Sequence, residues 1–446
     1  MSIGLESLGL IPIGLPSTSQ ASNATTVSCT TGAMAIGGLT ATVGTSTTIS
    51  CSVASLSVAG LSANVQFGTI TITSPVTFQT FQRDGSNQAN IAITGTYTGS
   101  PTSIQASFNG GAWANIVASP AGGTFSGTLS AQSMGQGTLS VRFGNDTSVV
   151  ATKLKVKIGD IYIVMGQSNH VGQAPNYVNP STANGNASIW GVDGTWRELL
   201  ETTSDRFSTR ANGVQCSAMN QLVVDGQGSY FGALATLIMA AGVPVAFVPC
   251  AIGSSAISGW QPGGTHNNPA TAYGSALTRA QSVGNFKAAL WYQGEMDGLL
   301  ATTYATYVSL LNSLIDSWYA DTGKKVVVYL TNRTGSGTLS AAQTIQNAQL
   351  YVGRSNANAI PGPNMDLLWS SNVHYQTAGD INAVASKTFD VLSAQYYGGT
   401  VVSCSAASIP DIGLSCSISA SGGASAAVLP HWNPPLFSKM NGNFQG

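Results

Sequence analysis

Residues Gly159 to Gln173 read G-D-I-Y-I-V-M-G-Q-S-N-H-V-G-Q, and this stretch decides the fold. Five apolar residues, Ile161 to Met165, ended by glycine, predict a fully buried strand running into a tight turn. Ser168 then falls just past the carboxyl edge of that strand, where open α/β sheets place ligands. A helix beginning near Ser168 would point backbone N–H groups at anything bonded to its hydroxyl, which suits a developing oxyanion. An ordinary strand-turn-helix with a capping serine fits the same letters, so the surrounding chain has to decide.

Downstream, helical and strand patterns alternate. Ser229 to Ala241 predicts a buried helix stopped by Gly242, and Pro244 to Cys250 a strand ending at Ala251-Ile252-Gly253. Phe286 to Tyr292 is another apolar strand, followed by Gln293-Gly294-Glu295. Tyr304, Tyr307, Val308, Leu311, Leu314, Ile315 and Trp318 recur at helical spacing up to Gly323. Lys325 to Leu330 predicts a fourth strand, and further helices fall over about 340–352 and 377–396. Such alternation predicts an α/β fold: a parallel sheet covered by helices on both faces, with polar clusters at the carboxyl ends of its strands.

Upstream the punctuation differs. Residues 1–88 are Ser/Thr/Gly-rich with short β-prone runs and almost nothing that titrates, which predicts an attachment or assembly module. Residues 89–158 carry short alternating runs about 12 to 15 residues apart, as in a small β-sandwich. Tyr97 or Trp113 is a candidate sugar-stacking platform there, against the commoner role of an aromatic in the core. The α/β domain spans 159–399, and 400–446 return to a Ser/Gly/Pro-rich style.

Only 7% of the 446 residues are charged and the net charge is −1, so no basic footprint for nucleic acid exists. No apolar run approaches the roughly 18 to 20 residues of a spanning helix. The N-terminus lacks the basic start of a cleavable signal peptide. A neutral Ser/Thr/Asn/Gly surface suits an extracellular or virion-associated protein, such as a phage tail component, with assembly partners reached through the N-terminal module. Six cysteines permit disulfides, with Cys29 and Cys51, Cys404 and Cys416, and Cys216 and Cys250 as the arithmetic pairs.

G-Q-S-N at 166–169, A-I-G-S-S-A-I-S-G-W at 251–260, W-Y-Q-G-E-M-D at 291–297 and N-V-H at 372–374 resemble, in order and spacing, the blocks of SGNH hydrolases. More narrowly they are similar to the sialate O-acetylesterase-like and acetylxylan-esterase-like branch, whose pattern is G-Q-S-N-M, G-G-T-x-I-x-x-W, W-Y-Q-G-E-S-D and D-x-x-H. The resemblance covers about residues 159–397 and implies a flavodoxin-like sheet. It also implies a Ser168 nucleophile, a His374 base, and an oxyanion held by the N–H groups of Ser168 and Gly253 and the side-chain amide of Gln293. The chain departs from the pattern at Ser371, where the resembled block has Asp. Asp366, Glu295 and Asp297 are the candidate acids for orienting His374, and a Ser-His dyad is the alternative.

The resemblance further implies an acetyl ester on a surface polysaccharide or sugar, no cofactor and no metal. Trp260 is expected to close the acyl pocket, with Asn169 beside the substrate. Arg197, Arg206 and Arg210 in the long insert 174–227 are candidates for meeting an acidic sugar. A non-catalytic glycan-binding adhesin on the same scaffold is the runner-up.

Overall fold

A computed structural model describes residues 27–29, 49–51, 68–191, 193–201, 228–333, 337–368 and 372–398. Strands β1 (Val27–Cys29) and β2 (Ile49–Cys51) pair in parallel. The remainder of the expected N-terminal module before residue 68, and the C-terminal extension, lie outside the described residues.

The sandwich begins at Ile70, ahead of the expected residue 89. One sheet is antiparallel, of β3 (Ile70–Ser74), β5 (Gln88–Tyr97) and β8 (Thr124–Ser133). Opposite it, β6 (Ser103–Phe108) lies between β7 (Ala114–Ala118) and β9 (Gly135–Phe143). Inward-facing Ile91, Ile93, Ile104, Leu139, Val141 and Ile158 fill the space between, as alternation predicts. Tyr97 belongs to this core, and the Arg142 guanidinium sits 4.0 Å over the ring of half-buried Trp113.

The strand expected over Ile161 to Met165 is far longer. β10 runs from Val150 to Gly166 and belongs to both units. Its first part pairs antiparallel with β9 and alternates exposure; from Val156 onward every residue is buried. The change comes at a bulge between Lys153 and Val156, where Lys155 takes φ 56°, and such a bulge bends a strand out of one sheet toward another. The expected boundary at 158/159 is therefore the middle of a strand rather than a linker. β4 (Thr80–Gln82) pairs with β10 at Lys157–Gly159. The adjoining Arg83 makes a two-pronged bond to fully buried Asp160, through Nε to Oδ1 at 3.0 Å and Nη2 to Oδ2 at 2.8 Å. Lys287 Nζ approaches the same carboxylate to 3.2 Å.

The second half of β10 is flanked in parallel by β13 (Val245–Pro249) and β14 (Ala288–Tyr292). β15 (Val326–Leu330) and β16 (Ala359–Asn364) continue beyond β14. β11 (Ser188–Trp190) and antiparallel β12 (Trp196–Glu198) close the other edge. The chain leaves β10 to opposite sides for β13 and β14, so the strand ending before Ser168 is the topological switch point.

Side chains of β10 alternate between two cores. Ile161, Ile163 and Met165 pack under α3 (Ala272–Val283), α5 (Tyr304–Thr322) and α6 (Leu339–Ser355). Tyr162 and Val164 pack under α2 (Phe231–Ala240) and α7 (Ala378–Tyr396). Two short helices, α1 (Ser168–Val171) and α4 (Glu295–Leu299), occupy the carboxyl edge. Threonines 271, 303, 338 and 377 cap α3, α5, α6 and α7, each accepting a backbone N–H that the first turn leaves free.

Candidate active site

Gly166 ends β10 with φ 116°, and a Cβ there would lie 2.1 Å from the carbonyl oxygen of Tyr292. Only glycine lets the strand come this close to β14 and turn. Gln167 N–H donates to that Tyr292 carbonyl at 2.9 Å, and Ser168 opens α1 with 6% of its surface exposed. Gly172, left-handed at φ 90°, stops the helix after one turn.

The Gly253 loop arrives from β13. Cys250 N–H bonds Val164 O at 2.8 Å and Ile252 N–H bonds Gly166 O at 2.9 Å, so the ladder continues past the strands and delivers Gly253 beside the serine turn. Cys250 is a free buried thiol, its pKa pushed up to about 11 by burial.

Gln293 corrects the sequence expectation. Its side chain is fully buried, and its amide donates to Ser255 O at 3.0 Å and Asp297 Oδ2 at 2.6 Å, while its oxygen accepts from Tyr307 at 2.9 Å. No proton is left for an oxyanion. Asp297 also accepts from Ile257 N–H at 2.8 Å and from Thr302 at 2.8 Å. The two residues thus clamp the loop that carries Gly253 onto the end of β14.

Asn169, expected at the substrate, is buried instead and its amide forks. It donates to Glu295 Oε1 at 2.9 Å and to the Val373 carbonyl at 3.1 Å. That second bond ties the serine's helix to the loop bearing His374. Tyr375, on the other side of the histidine, donates to Tyr292 Oη at 2.9 Å. The His374 imidazole is half-buried, makes no hydrogen bond among the described residues, and burial lowers its pKa from 6.5. Burial raises the pKa of Glu295, outweighing the hydrogen bonds from its own N–H and Asn169.

Asp366 does not serve His374 here. It accepts from Arg333 N–H at 3.1 Å and Nε at 2.7 Å, and also bonds Nη2. Burial works to raise its pKa, and Arg333 overcomes that to hold it below the usual carboxylate value. Ser371 lies outside the described residues. Trp260 is a core residue: it is fully buried, its indole N–H donates to Ser255 Oγ at 2.9 Å, and it packs edge-on against Trp291. It cannot touch a substrate. Arg197 is on β12, three strands from β10 and in register through Ile189 and Phe247 with Tyr162. That puts it roughly 14 Å to the side of β10 at ~4.8 Å per strand and well below Ser168; it pairs with Asp193. Arg206 and Arg210 lie outside the described residues.

His170 is the other histidine near the serine, and its role is structural. Nδ1 faces the Met165 carbonyl at 2.6 Å and Nε2 the Tyr230 hydroxyl at 2.7 Å, with burial driving its pKa down to about 3. The tyrosines packed around it, 230, 292 and 329, each read in sequence as a core aromatic, as does Tyr375 beyond Tyr292. Asn332, which donates to Val373 O at 3.4 Å, follows β15 with no motif around it.

The sheet thus carries a serine at its switch point and a histidine loop bonded to that serine's helix. The family model "Carbohydrate esterase, sialic acid-specific acetylesterase" matches residues 158–386, just over half of the chain. The chain belongs to that family, and it is a serine-type carbohydrate acetylesterase of the SGNH superfamily. Among solved structures it is similar to a carbohydrate acetylesterase from Xanthomonas citri (19% identity, 74% of this chain and 77% of that one, TM-score 0.46). An Arabidopsis thaliana protein aligns at 21% identity over 53% of this chain and 98% of that one, TM-score 0.40. An acetyl xylan esterase from the rumen bacterium Butyrivibrio proteoclasticus aligns at 12% identity over 74% and 98%, TM-score 0.31. Comparison with curated protein sequences finds no significant match.

Proposed function

We propose that the chain removes acetyl groups from hydroxyls of a surface polysaccharide through an acetyl-enzyme on Ser168, with His374 as the base. The observation that carries this is the Asn169 bond to Val373 O, which joins the nucleophile's helix to the histidine's loop on the ligand-binding edge of the sheet. His374 takes the Ser168 proton as Oγ bonds to the acetyl carbon, and the oxyanion meets the N–H groups of Ser168 and Gly253. Collapse breaks the bond to the sugar oxygen, which leaves with the proton from His374. Water, deprotonated by the same imidazole, then attacks the acetyl carbon and releases acetate and free Ser168.

Burial supports the base role, because a lowered pKa keeps His374 neutral at physiological pH. The flavodoxin-like strand order around β10 supports the site's placement. Charge-poor composition favours a neutral glycan and an extracellular or virion-associated setting. The test is acetate release from an acetylated polysaccharide and from p-nitrophenyl acetate by the intact chain, Ser168→Ala and His374→Ala. Release by the intact chain and loss in both variants is expected. Equal release by Ser168→Ala would overturn the assignment.

A further inference from the structure

The resembled acid position is a serine, and two of the three other candidate acids are committed elsewhere: Asp366 to Arg333, and Asp297 to Gln293, Ile257 and Thr302. The remaining acid, Glu295, is buried and holds Asn169 rather than the imidazole. Resting on the esterase reading, we propose that Glu295 and Asn169 are positioning residues that set His374 through its backbone, by fixing the Val373 carbonyl. This replaces a carboxylate bonded to the ring.

The geometry is a three-part relay. Glu295 Oε1 takes one amide proton of Asn169, which fixes the side-chain rotation and aims the other proton at Val373 O, 3.1 Å away. Asn332 Nδ2 reaches the same carbonyl at 3.4 Å. On the far side of the histidine, Tyr375 is anchored to Tyr292 on β14. Both neighbours of His374 are thereby held to the elements that carry Ser168 and Gln293, leaving the imidazole only its own side-chain rotations. Asn169 sits one residue after the nucleophile, so the relay references the base directly to the serine's helix. Glu295 opens α4, placing its carboxyl where the first-turn N–H groups favour an acceptor.

The experiment uses the full chain and p-nitrophenyl acetate, with kcat and KM measured for Asn169→Ala, Glu295→Ala and Glu295→Gln beside the intact protein. Loss of positioning lowers kcat by roughly 10- to 100-fold in both alanine variants, with KM within about two-fold. Gln keeps an oxygen where Oε1 accepts, so Glu295→Gln restores kcat to within about five-fold of the intact chain, a rescue general destabilisation does not give. Tyr375→Phe removes only a hydroxyl and lowers kcat with melting temperature nearly kept. It carries the test should the alanine variants fail to fold. Intact-chain activity with kcat unchanged in Asn169→Ala or in folded Tyr375→Phe overturns the relay and leaves the esterase standing. So does Glu295→Gln no better than Glu295→Ala. Inactivity of the intact chain overturns both.

Discussion

His170 makes stability depend on pH below 6.5, a window it shares with the less deeply buried His374, whose pKa burial also lowers. The His170 ring is fully buried, edge-on to Tyr329 at 4.9 Å and Tyr292 at 5.5 Å, and its Nδ1 proton is used by the Met165 carbonyl. A second proton at Nε2 would put an uncompensated charge in that core and displace the bond from Tyr230. The folded pKa is about 3, against 6.5 in an exposed chain. Between those values the unfolded chain binds a proton that the native state does not. The stabilising term is therefore present in full above pH 6.5 and is lost as pH falls toward about 3. At about 1.4 kcal/mol per pH unit the whole window is an upper figure of roughly 5 kcal/mol, and the descent from 6.5 to 5 accounts for about 2. Lys157, lowered by burial to about 7, acts only at higher pH, between its folded value and 10.5. Glu295, raised by burial, works in the opposite sense above 4.5. Urea unfolding followed by tryptophan fluorescence at pH 7.5, 6 and 5 reads the slope. His170→Asn keeps an N–H for Met165 O but does not titrate. It costs stability at pH 7.5 through the vacated ring volume and flattens the decline below 6.5. An equal decline in intact protein and variant would refute the assignment.

Arg83→Met strips the two-pronged partner from buried Asp160 and leaves Gln82 and Lys287, so thermal unfolding shows a loss of about 3 kcal/mol. An unchanged melting temperature would count against Asp160 as the pin between sandwich and sheet. Gly166→Ala sets a Cβ on the Tyr292 carbonyl at a left-handed position, and the variant loses soluble yield or near-ultraviolet ellipticity. The pH dependence of kcat/KM carries the His374 sign: the base must be neutral, so the acid limb has its midpoint below 6.5, and a midpoint above it contradicts the burial seen here.

What the sequence revealed of the fold was its periodic part. The apolar runs at 286–292 and 325–330 and the helices stopped at Gly242 and Gly323 form close to where pattern and glycine place them. The 17-residue reach of β10 was hidden because its halves obey different patterns: alternation where one face is exposed, a continuous apolar run where both are covered. At the site, glycines and the serine were legible because backbone geometry dictates them. Side-chain roles were less so. Gln293 and Trp260 occupy motif positions, but motif spacing does not say where an amide or indole points, and both turn inward to Ser255. Arg197 was singled out as a rare charge, whereas only strand register tells which end of the sheet it occupies.

The central claim, that Ser168 is the nucleophile, is tested most directly by covalent trapping. The full chain is treated with p-nitrophenyl diethyl phosphate and the modified residue is located by peptide mass spectrometry. A single diethylphosphoryl adduct on the peptide containing Ser168, formed slowly in His374→Ala and absent from Ser168→Ala, is the predicted result. An adduct at another serine, or p-nitrophenyl acetate turnover that continues after Ser168 is fully labelled, would contradict it.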